Sequence, residues 1–219
     1  YQGKIKEALE VYDAIEKILG PSTDLIVHKH KLYLRLGEDE KAIAEIQKLI
    51  DQNPANIHFY GLLADLYENE GNDSKALAIY NKIVKIDPSN GTVHLSLYEY
   101  YRYHGNQDKS LSELTLAFKN STVDIDTKME IMLQFFTNSE RNEKVKTQAY
   151  GLANILIDVH SNEAKSFSMY GDFLSRDGKL KEALQMFKKA AVLNSGKFPI
   201  WSQIVFLESD LKEFELLEK

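Results

Sequence analysis

The feature that most constrains this chain is a recurrence: Gly3, Gly37, Gly71 and Gly105 follow one another at intervals of 34 residues. Glycine fills 11 of the 219 positions, so one such series could arise by chance among many possible starts and periods. Other columns in the same frame remove that reading. Ala8, Ala42, Ala76 and Ser110 each stand five residues after their glycine. Tyr12, Ile46, Tyr80 and Leu114 follow four residues later, and Ile15, Leu49, Ile83 and Ala117 three beyond those. The blocks close on Gly20-Pro21, Asn53-Pro54 and Asp87-Pro88. Independent columns that agree on one period establish an internal repeat, and with it an architecture of one small unit stacked on itself.

Each column has a mechanical reason. Spacings of three and four place the alanine, aromatic and aliphatic positions on one helical face. Glycine ends the preceding helix, because a left-handed residue is cheapest without a Cβ. Asn72-Asp73 and Asn106 follow their glycines, where a side-chain oxygen can cap the next helix. Pro54 and Pro88 stop the second helix, and Asn56 and Asn90 are placed to cap the one after. The unit is helix, tight turn, helix, tight turn.

This pattern resembles the tetratricopeptide repeat family, whose 34-residue unit combines small, aromatic and glycine positions with a closing proline. Residues 57–90 match it best, with Tyr60, Leu63, Ala64, Tyr67, Gly71, Ala76, Tyr80, Ile83 and Pro88 in register. Residues 164–197 follow closely with Phe167, Gly171, Leu174, Gly178, Ala183, Phe187 and Ala190. Trp201 stands where the next repeat would begin its aromatic column. The resemblance implies an all-α, right-handed superhelical solenoid of antiparallel helix pairs, with about twelve helices.

In this frame the chain reads as a single solenoid over 1–219. A half repeat occupies 1–22, repeats occupy 23–56, 57–90 and 91–124, an irregular repeat 125–163, a repeat 164–197 and a half repeat 198–219. The irregular block is expected to be a longer helical hairpin with its extra residues near the internal turn. The column that the family keeps small holds Ala64 and Gly171 but also His30, Tyr98 and Met132, which predicts splayed or adjusted helix pairs. Lys29 replaces a leucine of the pattern, so regular stacking is expected from about residue 57. Both terminal half repeats lack a partner helix. The chain is therefore expected to continue in at least one direction, or to bury these uncapped faces against another chain.

Composition narrows the function. The net charge of −6 and the estimated pI of 5.6, without a basic run, argue against nucleic-acid binding, which rests on phosphate neutralisation. No apolar run approaches the ~18 residues of a spanning helix, which predicts no membrane insertion. No leader precedes the repeats, so a soluble chain, cytoplasmic or exported after signal removal, is expected. With no cysteine, disulfides, thiolate catalysis and Cys-type zinc sites are excluded. His58 and His94 can approach each other across neighbouring first helices, but no third metal ligand accompanies them. Phosphate loops, HExxH and a glycine-flanked nucleophilic serine are all missing. The reading is non-catalytic, with no cofactor and no metal.

The surface itself is then the candidate site. In the resembled family the first helices form a concave groove, and matching positions here are Lys31, Leu34 and Arg35, then His58, Asp65, Glu68 and Asn69. Leu95, Glu99, Arg102 and Tyr103 follow, then Met129, Leu133 and Phe136, then Lys165, Asp172 and Arg176. Asp65, Glu99 and Asp172 share one register and would favour a protein or peptide partner with basic residues. Leu95, Tyr103, Met129, Leu133 and Phe136 would offer it an apolar strip, unless the irregular repeat turns Met129 and Leu133 into the core. The family's clamp for a carboxyl-terminal tail needs lysine and asparagine where this chain has Val27/Lys31, Gly61/Asp65, Leu95/Glu99 and Ser168/Asp172. That partner class is excluded. The expected function is a protein-interaction scaffold; the alternative is a regulatory, sensory or oligomerisation segment of a longer protein.

Overall fold

The computed structural model describes residues 2–217, with side chains to residue 212. Tyr1 and the end of the closing half repeat lie outside them. The described residues form twelve α-helices and no strand. They divide into two compact units, residues 1–110 and 111–219.

Unit 1 holds α1 (Gln2–Leu19), α2 (Thr23–Leu36), α3 (Asp39–Gln52), α4 (Ile57–Asn69), α5 (Asp73–Ile86) and α6 (Gly91–Tyr103), and the start of α7 (Gln107–Lys119). The helix ends follow local chemistry. Gly37, Gly71 and Gly105 adopt positive φ of 70°, 68° and 71°, the left-handed turn for which their lack of a Cβ suits them. Gly3 departs from its column, because it lies inside α1 and is helical. Asn56, Asn72, Asn90 and Asn106 accept backbone N–H bonds from the first turns of α4, α5, α6 and α7. The core is the repeat columns made solid: Ile26, Ile46, Leu49, Tyr60, Leu63, Ala64, Ala76, Tyr80 and Ile83 are buried together.

Two departures from the pattern are absorbed rather than splayed. His30 is buried in the small column, and its Nδ1 donates to the Ala42 carbonyl across the pair at 3.2 Å. α2 and α3 thus stay packed as a pair around the buried imidazole. Lys29, only 3% exposed, reaches Asp13, Glu16 and Glu45 at 2.7, 2.6 and 3.0 Å. Burial works against its charge, but the three carboxylates overcome it and hold the ammonium above the usual lysine range. The lysine therefore joins α1, α2 and α3, and ordered stacking begins well before residue 57.

Unit 2 holds the rest of α7 with α8 (Ile125–Asn138), α9 (Glu143–Val159), α10 (Ala164–Arg176), α11 (Leu180–Leu193) and α12 (Phe198–Leu217). The irregular repeat places its additional length around the internal turn: α8 has 14 residues and α9 has 17, against 13 and 14 in α4 and α5. Met132 is wholly buried in its small column, whereas Gly171 lets α10 approach the Phe187 ring of α11 closely. Phe167, Leu174, Ala183, Phe187, Ala190, Ile200, Ile204 and Leu207 form the core of α10 to α12.

A tether recurs between repeats in both units. The side chain at the fourth position of a first helix bonds the carbonyl six residues earlier, in the preceding turn. Tyr60 donates its hydroxyl to Pro54 O at 3.1 Å, His94 Nε2 bonds Pro88 O at 3.0 Å, and Trp201 Nε1 donates to Ser195 O at 2.8 Å. Where Phe167 cannot donate, neighbouring Ser166 supplies the bond to His160 O at 3.0 Å. In the irregular repeat Lys128 holds this position. Wholly buried, it donates to Phe118 O and Asn120 O at 2.9 and 2.7 Å and lies 2.7 Å from His160 Nε2. Burial pushes its ammonium down to about 8, and burial with the nearby Lys128 charge lowers His160 too, so the imidazole is neutral and accepts.

Candidate interaction surface

In unit 1, Lys31, Leu34, Arg35, His58, Asp65, Glu68, Asn69, Glu99 and Arg102 are exposed on first helices whose opposite faces are buried. Tyr103, 84% exposed, projects fully into solvent, while Leu95 is half-buried. The acidic points differ in how they are compensated. Glu99 is held by Arg102 on its own helix, with Nε and Nη2 at 2.8 and 2.5 Å. Asp65 has no such ion pair among the described residues.

Unit 2 divides its expected surface residues into free and occupied. Leu133 is 56% exposed and Met129 is half-buried, so the strip turns only partly inward. Phe136 and Arg176, in contrast, serve the packing. The Phe136 ring meets Phe173 edge-on at 5.0 Å, and the Arg176 guanidinium lies over both rings at 4.6 and 5.2 Å. Arg176 Nη1 donates to Phe136 O and Ser139 Oγ, and Nε to Asp177, so this arginine fastens α8 to α10. Lys165 is engaged by Asp126. Asp172 lies half-buried, without a hydrogen-bond or ion-pair partner among the described residues, and burial alone pushes its carboxyl up to about 6.

Clefts lie beside the two uncompensated carboxylates. In unit 2 a cavity of about 430 Å³ opens between α10 and α12 over α11, and Asp172 lines it. In unit 1 a cavity of about 370 Å³ opens between α4 and α6 over α5, and Asp65 lines it. Sequence reading found the carboxylates by their shared register. It did not find the cavities, which depend on how far apart the first helices stand.

The buried columns, the left-handed glycines and the capped first helices reproduce one 34-residue hairpin from α2 to α6, and the profile of the tetratricopeptide repeat family matches residues 40–98. That segment is similar to the tetratricopeptide repeat family. Tetratricopeptide repeats build protein-interaction scaffolds. No curated protein matches the sequence. Solved structures are similar at a distance. MamA is 18% identical, with 79% of this chain and 92% of that one covered and a TM-score of 0.47. A tetratricopeptide repeat protein from Parabacteroides merdae ATCC 43184 is 20% identical over 94% of this chain and 79% of its own, with a TM-score of 0.47. YrrB, described as a TPR protein with an unusual peptide-binding site, is 17% identical over 87% of this chain and 95% of its own, with a TM-score of 0.47.

Two further surfaces lie on the terminal helices α12 and α1. On α12, Ile200, Ile204 and Leu207 are buried, while Phe198, Trp201, Val205 and Phe206 are exposed. Trp201 and Val205 occupy the columns through which Phe167 and Gly171 meet their second helix. On α1, Val11, Ile18 and Leu19 are exposed. No helix among the described residues is long and apolar enough to cross a membrane.

Proposed function

We propose that the chain binds an extended segment of a partner protein along its first helices, as a non-catalytic scaffold. The observation that supports this is the division of labour within those helices. One face is locked by the repeat columns, and the other leaves Asp65 and Asn69 in unit 1 and Leu133 in unit 2 uncommitted to the fold. A rigid face bearing unused side chains binds without having to order itself first. The partner segment carries basic residues for the carboxylates and apolar ones for Leu95, Met129 and Leu133.

Site-specific photocrosslinking in producing cells tests the reading. Crosslinkers at positions 65, 99 and 133 should capture one common partner, and crosslinkers at the exposed second-helix positions 82 and 182 should not. Capture from the second-helix positions alone would sink the proposal. With the partner in hand, Asp65→Lys combined with Glu99→Lys should slow association and invert its salt dependence, whereas Leu133→Ala should chiefly hasten release.

A further inference from the structure

The two cavities are one site built twice. Asp65, Tyr80, Val93 and Ser96 line the first, and Asp172, Phe187, Ile200 and Gln203 stand at the same repeat positions in the second. Each has a carboxylate on one first helix, an apolar residue on the next, and an aromatic ring of the intervening second helix as floor. We propose that each cavity receives one lysine or arginine side chain of the bound segment, with its cation on Asp65 or Asp172 and its methylenes on Tyr80 or Phe187. This rests on the first-helix reading above and names the chemistry that the site selects.

Neither carboxylate has a counter-ion among the described residues. Among the residues lining the unit 1 cavity, Asp65 is the sole aspartate or glutamate, and there is no lysine or arginine. In the unit 2 cavity the charged residues are Asp172, Glu163, Lys165 and Lys197. Lys165 pairs with Asp126, and among the described residues neither it nor Lys197 forms an ion pair with Asp172. Asp172, taken partly out of water without a counter-ion, is an unfavourable arrangement that a cationic ligand relieves, while Asp65 stands exposed at the mouth of its cavity, open to a cation from solvent. The third acid of the register shows the contrast, because Glu99 already has Arg102. Ring floors suit long aliphatic stems, which bury their methylenes while the charged head reaches the acid.

The test uses random dodecapeptides displayed on phage and selected against the full chain at low salt. Recovered peptides should contain lysine or arginine and should crosslink to first-helix positions. Replacing the critical lysine by norleucine should weaken binding about tenfold or more, as should Asp172→Asn or Asp65→Asn. The losses should not add when both partners of one contact are changed. For peptides seated on Asp172, affinity should fall as pH drops below about 6, where that carboxyl takes up its proton. Peptides that crosslink to the first helices but tolerate norleucine would overturn this inference and leave the scaffold reading standing. Failure to recover peptides, or peptides that crosslink only to second helices, would overturn both. The norleucine arm needs no altered protein, so a poorly folding variant does not blunt the result.

Discussion

Asp172→Asn should stabilise unit 2 at neutral pH, although it deletes a charge. Burial raises the carboxyl from 3.8 to about 6 in the folded state, so ionising it opposes folding. The penalty is absent below about pH 4, develops between pH 4 and 6, and is fully present at pH 7. A shift of this size corresponds to about 3 kcal/mol at most. Asp172 retains some contact with water, and the replacing amide must itself be desolvated, so about 1–2 kcal/mol is the expected net gain. That corresponds to a rise of several degrees in Tm for a unit of this size. Trp201 is the protein's single tryptophan and lies in unit 2, which makes its fluorescence a local reporter. Urea titrations followed at Trp201 should separate variant from parent at pH 7 and bring them together at pH 4. An unchanged or lowered midpoint at pH 7 would mean that Asp172 is solvated or already paired, and the argument from missing charge would fall with it.

Other perturbations probe the packing. A Cβ added at Gly171 would lie 2.9 Å from Phe187 Cε2 and 3.0 Å from its Cζ, so Gly171→Ala should lose about 1–2 kcal/mol despite alanine's better helix propensity; Phe187→Leu in the same chain should restore it in a urea titration. Lys128→Met leaves the carbonyls of Phe118 and Asn120 without that donor and should lower unit 2 stability by about 1–3 kcal/mol, read from Trp201 fluorescence. Ala76→Leu inserts bulk where α4 and α5 meet and should cost about 1–3 kcal/mol in unit 1, measured by hydrogen exchange of α5 amides.

Local rules made much of the fold readable. Asparagine caps, left-handed glycines and helix-stopping prolines act within a few residues, so Asn56, Asn72, Asn90, Gly37 and Gly71 declare their roles in the sequence alone. What escaped depends on partners distant in the chain. Lys29 reads as a defect until α1 and α3 bring Asp13, Glu16 and Glu45 to it. Lys128 sits in a core column because its ammonium reaches carbonyls that α7 leaves open, which no spacing rule reveals. Register placed Phe136 and Arg176 in the groove, and their stack on Phe173 draws them into the packing instead. The candidate surface was legible as a set of positions; which of those positions remain free was decided by tertiary contacts.

The tether from the fourth position of α4, α6 and α12 has a consequence for how such arrays diverge. A phenol at 60, an imidazole at 94 and an indole at 201 perform one task because each sets a polar atom at a similar reach from its own backbone. What is inherited is a length, and its chemistry is open to exchange. Drift among tyrosine, histidine and tryptophan would therefore leave the step between neighbouring hairpins intact, while exchange for phenylalanine would release the turn unless an adjacent hydroxyl took over, as Ser166 does beside Phe167. An engineer could use the same ruler: longer or shorter donors at this one position would set the rise from hairpin to hairpin without altering either helix.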